Sequence, residues 1–221
     1  MWRSLIGKKI IMAGTGLIWI GYLLVHMYGN LKVFAGEEAF NHYAESLRTL
    51  GEPMVGQGHA LMLARIVLTL SLATHVWAAI VLTRAAQQAR PTGYARFRQA
   101  SGNYATITMR WGGLALGLFI LYHLAHLTWN VPVLTGEYEP GNTFDKLVVG
   151  FNNPVNMVLY LLALVAVGLH LWHGGASFFQ TMGWRTAANR QPIRFLTGAL
   201  AVAIPVGFAV VPLAVATGLV A

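Results

Sequence analysis

The chain contains no cysteine, and this absence excludes several kinds of redox site. Without thiolates it has no ligands for a cysteine-held iron–sulfur cluster, no attachment point for a thioether-linked haem, no disulfide framework and no thiol nucleophile. Any metal-based redox chemistry in this protein therefore needs histidine as its ligand.

Charged residues are also scarce, at 10% of the chain, whereas 56% of the residues are hydrophobic. Such a chain has too few charges to cover a soluble domain of its size. Its apolar residues form five runs, long enough for helices that cross about 30 Å of hydrocarbon. We place these helices at about 9–33, 57–83, 106–131, 154–179 and 195–219. The sequence thus predicts an all-α integral membrane protein with one domain, residues 1–221.

Only seven acidic residues are present, and all lie in the connections after the first and third predicted helices. Eleven of the fifteen basic residues lie before the first helix or near the opposite connections, after the second and fourth. By the positive-inside rule the N-terminus is cytoplasmic and the C-terminus is outside. The net charge of +8 then reflects topology and not a nucleic-acid partner. The first acidic connection also predicts a short surface helix at about 37–50, with Phe40, Tyr43 and Leu47 facing lipid or the bundle.

Glycine is frequent within three of the runs, and two explanations are compatible with it. Small residues let helices approach closely in lipid, and they also leave a face without side chains beside a flat macrocycle. The glycines concerned are Gly14, Gly16, Gly21, Gly112, Gly113, Gly117, Gly168, Gly174 and Gly175.

Six of the eight histidines lie within apolar runs, where an unpaired polar ring is costly. Each of the first four runs has at least one, and the fifth has none, which is typical of a four-helix cofactor cage with a fifth helix outside it. These histidines are His26, His75, His123, His126, His170 and His173.

The depth of the histidines predicts how the helices pair. At about 1.5 Å per residue from the charged ends, the histidines of the second and fourth runs lie nearer the cytoplasm, and those of the first and third nearer the outside. Two imidazoles on opposite faces of a haem leave no open position for oxygen and favour electron transfer. A carboxylate-bridged di-iron site would need glutamates in the helices. A zinc or copper transporter would usually have acids or thiolates along its path.

Several segments resemble one family, the five-helix, di-haem, single-chain cytochrome b subunit of succinate:quinone oxidoreductases and quinol:fumarate reductases. The resemblance covers nearly the whole chain. It is carried by LLVHMYGNLKVF in the first helix, EEAFNHYAESL in the surface helix, LATHVWAAIVLTRA in the second, LFILYHLAHLTW in the third and VGLHLWHGGASFFQTMGW in the fourth.

The resemblance implies a bundle of the first four helices around two b haems. His75 and His170 would bind the iron of the haem proximal to the cytoplasm, and His26 and His123 that of the distal one. The steps between these four histidines, in chain order, are 49, 48 and 47 residues. Each step is consistent with one helix and one loop.

His126 and His173 depart from the family pattern, since each lies three residues after the implied ligand. Depth alone slightly prefers them as ligands, whereas the flanking motifs favour their neighbours. This spare pair would bond haem propionates, line a quinone pocket or simply pack. Arg65, inside the second helix, either reaches the interface or forms a salt bridge with distal propionates or a contact with quinone.

The resemblance implies a membrane anchor in a complex with a flavoprotein and an iron–sulfur subunit. The anchor would pass their electrons through the iron of its two haems to a quinone. The two-haem form suggests menaquinone as this quinone. Succinate itself would not touch this chain. The chain would lie in the lipid of a prokaryotic cytoplasmic membrane, and the complex could form a higher oligomer. Two alternatives are the cytochrome b of a hydrogenase or formate dehydrogenase, and a non-redox protein whose histidines brace its helices.

Overall fold

The computed structural model describes residues 4–89 and 102–221, and within these ranges all regular secondary structure is helical. The long helices of this part are α1 (Leu5–Leu31), α3 (His59–Gln88), α4 (Gly102–Leu127), α7 (Pro154–Thr181) and α8 (Arg190–Ala216). The short ones are α2 (Glu37–Ser46), α5 (Pro132–Thr135), α6 (Thr143–Asn152) and a 3-10 turn at Lys32–Ala35.

Four helices of the described part are long and apolar enough to cross a membrane: α1 with the turn that follows it, α3, α7 and α8. The all-helical, multi-pass architecture is therefore confirmed. Helix α4 is not among these four, although its 26 residues span about 39 Å, more than the hydrocarbon thickness. The fifth span remains a prediction.

The helices extend further into their polar flanks than the apolar runs predict. Helix α1 begins at Leu5, where the hydroxyl of Ser4 accepts a hydrogen bond from the Gly7 amide at 3.0 Å. Helix α3 continues to Gln88, and α8 begins at Arg190. Hydropathy falls at the first charged residue, but backbone hydrogen bonding continues because long charged side chains reach the interface from a helix end.

The third long helix ends earlier than predicted, at Leu127 and not near Val131. The chain turns at Asn130, which has a positive φ of 53°. The amide of Val131 then donates back to the carbonyl of Ala125 at 3.0 Å. Asparagine tolerates this left-handed conformation better than most residues, so it ends the helix although the apolar run continues.

The two acidic connections meet at one end of the bundle, which we call the acidic end (residues 32–58 and 128–153). The surface helix predicted at 37–50 is present as α2 and ends at Ser46. Helix α6, in the second connection, was not predicted; the side chain of Asn142 caps it by accepting from the Asp145 amide at 3.0 Å. Asn142 also accepts from the Asn41 amide group of α2 at 2.9 Å, which joins the two connections.

A buried apolar cluster of the described residues lies at the acidic end. Phe40 of α2 packs edge-on against Phe144 of α6 at 6.2 Å between ring centres, so it faces the bundle. Phe151 of α6 meets Tyr160 of α7 at 4.9 Å, and Val211 of α8 belongs to the same cluster. The cluster covers the bundle at this end.

The long helices form two halves. Helix α3 packs mainly on α1, and α4 packs mainly on α7, while α8 lies against both α7 and α1. Glycines permit the close approach of α7 and α8: a Cβ at Gly168 would lie 3.0 Å from the carbonyl oxygen of Ala201, and one at Gly175 would lie 3.0 Å from the Thr197 side chain. At these positions the helix-packing explanation for glycine holds.

Candidate functional site

Two pairs of imidazoles lie between the two halves of the bundle. The rings of His26 on α1 and His123 on α4 have centres 5.8 Å apart and planes at 82°. The rings of His75 on α3 and His170 on α7 have centres 6.2 Å apart and planes at 57°. Each pair takes one ring from the α1–α3 half and one from the α4–α7 half. The structure thus pairs α1 with α4 and α3 with α7, as the depth of the histidines in the sequence predicts.

The two separations fit a metal ion held between each pair. An imidazole nitrogen binds a metal at about 2 Å, so two imidazoles on opposite sides of one ion have ring centres roughly 6 Å apart. Both pairs match this separation. The residues present therefore fit a metal such as a haem iron, which His26 with His123, and His75 with His170, would hold.

The hydrogen bonds of His75 favour a free Nε2. Its Nδ1 lies 3.1 Å from the carbonyl oxygen of Met12 and 3.1 Å from the hydroxyl of Thr15. A carbonyl only accepts, so Nδ1 carries the hydrogen and Nε2 keeps its lone pair. Metal-binding histidines commonly donate their other N–H to a carbonyl in this way, which orients the ring.

The partner ring, His170, has a buried Nδ1 with no hydrogen-bond partner in the described part of the chain. Glycines approach both rings of this pair. A Cβ at Gly113 would lie 3.8 Å from Cε1 of His170, and one at Gly16 would lie 3.4 Å from Cε1 of His75. At these two positions glycine leaves a face without side chains beside the candidate ligands, which is the second of the two explanations given for the glycines.

Aromatic side chains surround His26. Tyr22, one turn earlier on α1, stacks on it at 5.2 Å with planes 10° apart, and Phe208 of α8 lies 5.6 Å away. Arg65, on the neighbouring helix α3, is exposed and lies ten positions before His75, roughly 15 Å nearer the acidic end at the rise of an α-helix. Arg65 therefore lies at about the same depth as His26, which is eleven positions beyond Thr15 on α1.

His126 has both ring nitrogens engaged and is completely buried. Its Nδ1 lies 2.9 Å from the hydroxyl of Tyr160, and its Nε2 lies 3.2 Å from Nδ2 of Asn156. The Gly150 backbone of α6 is so close that a Cβ there would lie 2.5 Å from Nε2. No ring nitrogen of His126 is left to bind a metal.

His173 is bonded within its own helix. Its Nδ1 lies 2.9 Å from the carbonyl oxygen of Leu169, one turn earlier on α7. His170, three residues before it, is the ring that faces His75. The contacts on α4 and α7 therefore favour His123 and His170 over His126 and His173 as members of the two pairs.

Sequence reasoning missed the residues that hold the imidazoles. The hydroxyl of Tyr160 lies 3.1 Å from Nδ1 of His123 as well as close to His126, and Thr15 lies beside His75. One signal was available for α7: Asn156 and Tyr160 are polar residues four positions apart in an apolar run, so they share a helix face.

Apolar long helices with paired imidazoles between them define this chain as a multi-pass helical membrane protein with a candidate bis-histidine metal centre. Residues 87–209, more than half of the chain, match a family model described as succinate dehydrogenase/fumarate reductase transmembrane subunit. The chain belongs to this family. Searches of curated proteins and of solved structures found no match.

The matched region begins near the end of α3 and contains His123 and His170 but not His26 or His75. The resemblance seen in the sequence is thus confirmed at the family level. The match favours this family over a hydrogenase or formate dehydrogenase cytochrome b. As a transmembrane subunit, the chain is a component of such a complex and is not itself the part that acts on succinate.

Proposed function

We propose that this chain is the membrane anchor and di-haem cytochrome b of a succinate:quinone oxidoreductase, which carries electrons between an iron–sulfur subunit and a membrane quinone. The observation that carries the proposal is the presence of two imidazole pairs, each with the ring separation that one metal ion requires. Family membership supplies the complex in which such a chain works.

In this proposal His75 and His170 hold one haem and His26 and His123 hold the other. A haem held by two imidazoles would supply one-electron transfer and would have no open position for oxygen. Met12 and Thr15 orient His75, and Tyr160 orients His123. Tyr22 and Phe208 surround His26 with apolar ring surface, which limits water at that pair.

The two pairs are offset along the bundle. On α1, Thr15 beside His75 and His26 are eleven positions apart, roughly 16 Å at the rise of an α-helix. With the N-terminus in the cytoplasm, the pair of His75 and His170 lies nearer the flavoprotein and iron–sulfur subunits. The other pair lies nearer the acidic end, so electrons cross a large part of the membrane between them.

Arg65 is proposed to pair with propionates of the haem held by His26 and His123, or to contact quinone. Its depth on α3, which is about that of His26 on α1, supports this assignment. Menaquinone, suggested by the two-haem form, is the proposed electron acceptor, and the proposed location is a prokaryotic cytoplasmic membrane. His173, half-buried beside His170, is available to propionates of the other haem.

The test is a haem count on the complex purified from membranes. A reduced-minus-oxidised spectrum and pyridine haemochrome assay should give two b haems per chain, with a flavoprotein and succinate–quinone activity copurifying. Single alanine variants of His26, His75, His123 and His170 should each retain one haem. His42→Ala, at the acidic end, is the matched control and should retain both. The proposal is contradicted if the wild-type chain contains no haem b, or if all four histidine variants keep both haems.

A further inference from the structure

One phenol connects the proposed ligand His123 to the buried histidine three residues further on. The hydroxyl of Tyr160 lies 3.1 Å from Nδ1 of His123 and 2.9 Å from Nδ1 of His126. A phenol has one hydrogen to donate, so it cannot donate to both rings at once. The arrangement of the surrounding donors decides how that hydrogen is used.

Asn156 determines the tautomer of His126. Its Nδ2 donates to the carbonyls of Leu134 and Gly150 at 2.9 and 2.8 Å, while its Oδ1 accepts from the hydroxyl of Tyr122. These three partners identify which end of the amide is nitrogen. Because Nδ2 only donates, the Nε2 of His126 that faces it has no hydrogen. His126 therefore carries its hydrogen on Nδ1 and donates it to the oxygen of Tyr160.

Two arrangements remain for His123 and Tyr160. Either the phenol donates to Nδ1 of His123, whose hydrogen is then on Nε2, or Nδ1 carries the hydrogen and donates to the phenol oxygen. Only the second leaves Nε2 with a lone pair for a metal. Both arrangements hold the same number of hydrogens. In the second the phenol hydrogen is directed away from both rings, where the described residues give it no acceptor, so metal binding at Nε2 has to offset that loss.

We propose that Tyr160 is a positioning residue for His123: its oxygen accepts the Nδ1 hydrogen of His123 when Nε2 binds iron, and so orients the ring and strengthens it as a ligand. This inference rests on the proposed function. His126 weakens the effect, because its own N–H occupies part of the acceptor capacity of the same oxygen. A better acceptor at Nδ1 makes the imidazole more basic and favours the oxidised metal.

The proposal predicts opposite shifts for two substitutions. Tyr160→Phe removes the acceptor, so the midpoint potential of the haem held by His26 and His123 should rise. His126→Leu removes the competing donor, so the same potential should fall. The other haem, held by His75 and His170, should keep its potential in both variants. A general loosening of the site would shift the potential in the same direction in both variants.

The experiment is a redox titration of the purified complex, followed by visible spectra and by EPR of the ferric haems. Tyr28→Phe is the matched control, since Tyr28 is exposed on α1 two residues after His26. It should leave both potentials unchanged. The wild type must first show two bis-histidine haems, which tests the proposed function separately.

Unchanged potentials and EPR signals in Tyr160→Phe would overturn the inference, as would shifts of the same sign in both variants. If Tyr160→Phe retains only one haem, the midpoint potential of His126→Leu alone tests the inference. A lowered potential in that variant supports the role of Tyr160, and an unchanged or raised one overturns it.

Discussion

The hydroxyl of Thr15 on α1 lies 3.1 Å from Nδ1 of His75 on α3. The Thr15 hydroxyl has its own acceptor, the carbonyl of Ile11 at 2.8 Å, so its oxygen is oriented toward the imidazole as an acceptor. Together with the Met12 carbonyl it presents two acceptors to one N–H. This contact between the first two long helices orients the candidate ligand nearest the N-terminus of α1.

Replacing Thr15 with valine is expected to weaken haem binding at the pair of His75 and His170. Partners of this kind contribute about 10- to 100-fold in metal affinity, and because the Met12 carbonyl remains, we expect the lower end of that range. The measurement is the rate of haem transfer from the purified complex to apomyoglobin. Thr69→Val is the control, because among the described residues the Thr69 hydroxyl bonds only to the Arg65 carbonyl of its own helix. Equal rates in the two variants would contradict this role for Thr15.

Substituting alanine for Gly168 is expected to separate α7 from α8. The new methyl group would lie 3.0 Å from a backbone oxygen, that of Ala201, which cannot move without its helix. Overpacking of this kind destabilises by about 1–3 kcal/mol. The measurement is the thermal unfolding midpoint in detergent.

The matched control for this change is Gly117→Ala on α4, where a methyl group would meet no atom of the described residues within 4 Å. Alanine in a helix interior is more favourable than glycine by roughly 0.5–1 kcal/mol, so this variant should be as stable as the wild type or more so. If the two alanine variants have the same midpoint, α7 and α8 do not pack through Gly168.

Lys146 of α6 is expected to make stability rise with pH. Its ammonium group donates to the Leu127 carbonyl at 3.0 Å and to Asn130 at 3.3 Å, but burial, together with the charge of Arg48, lowers its pKa below the ordinary 10.5. The folded chain therefore releases this proton at a lower pH than the unfolded chain. Over the interval between the two pKa values, the unfolded chain binds more protons and stability increases with pH.

The measurement compares the unfolding midpoint of the wild type with that of Lys146→Met from pH 8 to pH 10.5. The difference, wild type minus variant, should grow as the pH approaches 10.5, because only the wild type loses the penalty of a half-buried charge. A difference that is constant or shrinks over this range would show that Lys146 titrates normally.

The sequence predicts the helices that carry the histidines because uninterrupted apolar runs have few other solutions in a membrane. It also predicts α2, since Glu37 to Leu50 is amphipathic, and depth alone predicts which helices pair. It does not predict that His126 is bonded at both nitrogens. That depends on how far α4 and α7 rotate toward each other, which places Tyr160 and Asn156 against it.

Helix α6 shows the same limit on a smaller scale. Its segment follows a stretch rich in glycine and proline and is too short to stand out by hydropathy. The available signal is an N-terminal cap, in which Asn142 is followed three residues later by Asp145. This cap precedes a short amphipathic segment. What the sequence cannot supply is the burial of its apolar face against α8 and α7, because that surface forms only when the bundle assembles.

The absence of cysteine makes the proposed topology directly testable, because a single introduced cysteine is the only site for a thiol reagent. Exposed positions are available near the ends of successive long helices and at the C-terminus: Glu38, Gln87, Glu137, Ala187 and Ala221. With five spans and a cytoplasmic N-terminus, an impermeant maleimide added to intact cells should label the cysteine variants of Glu38, Glu137 and Ala221. It should label those of Gln87 and Ala187 only after the membrane is opened. Helix α4 separates Gln87 from Glu137, so equal labelling of these two positions would show that α4 does not cross the membrane.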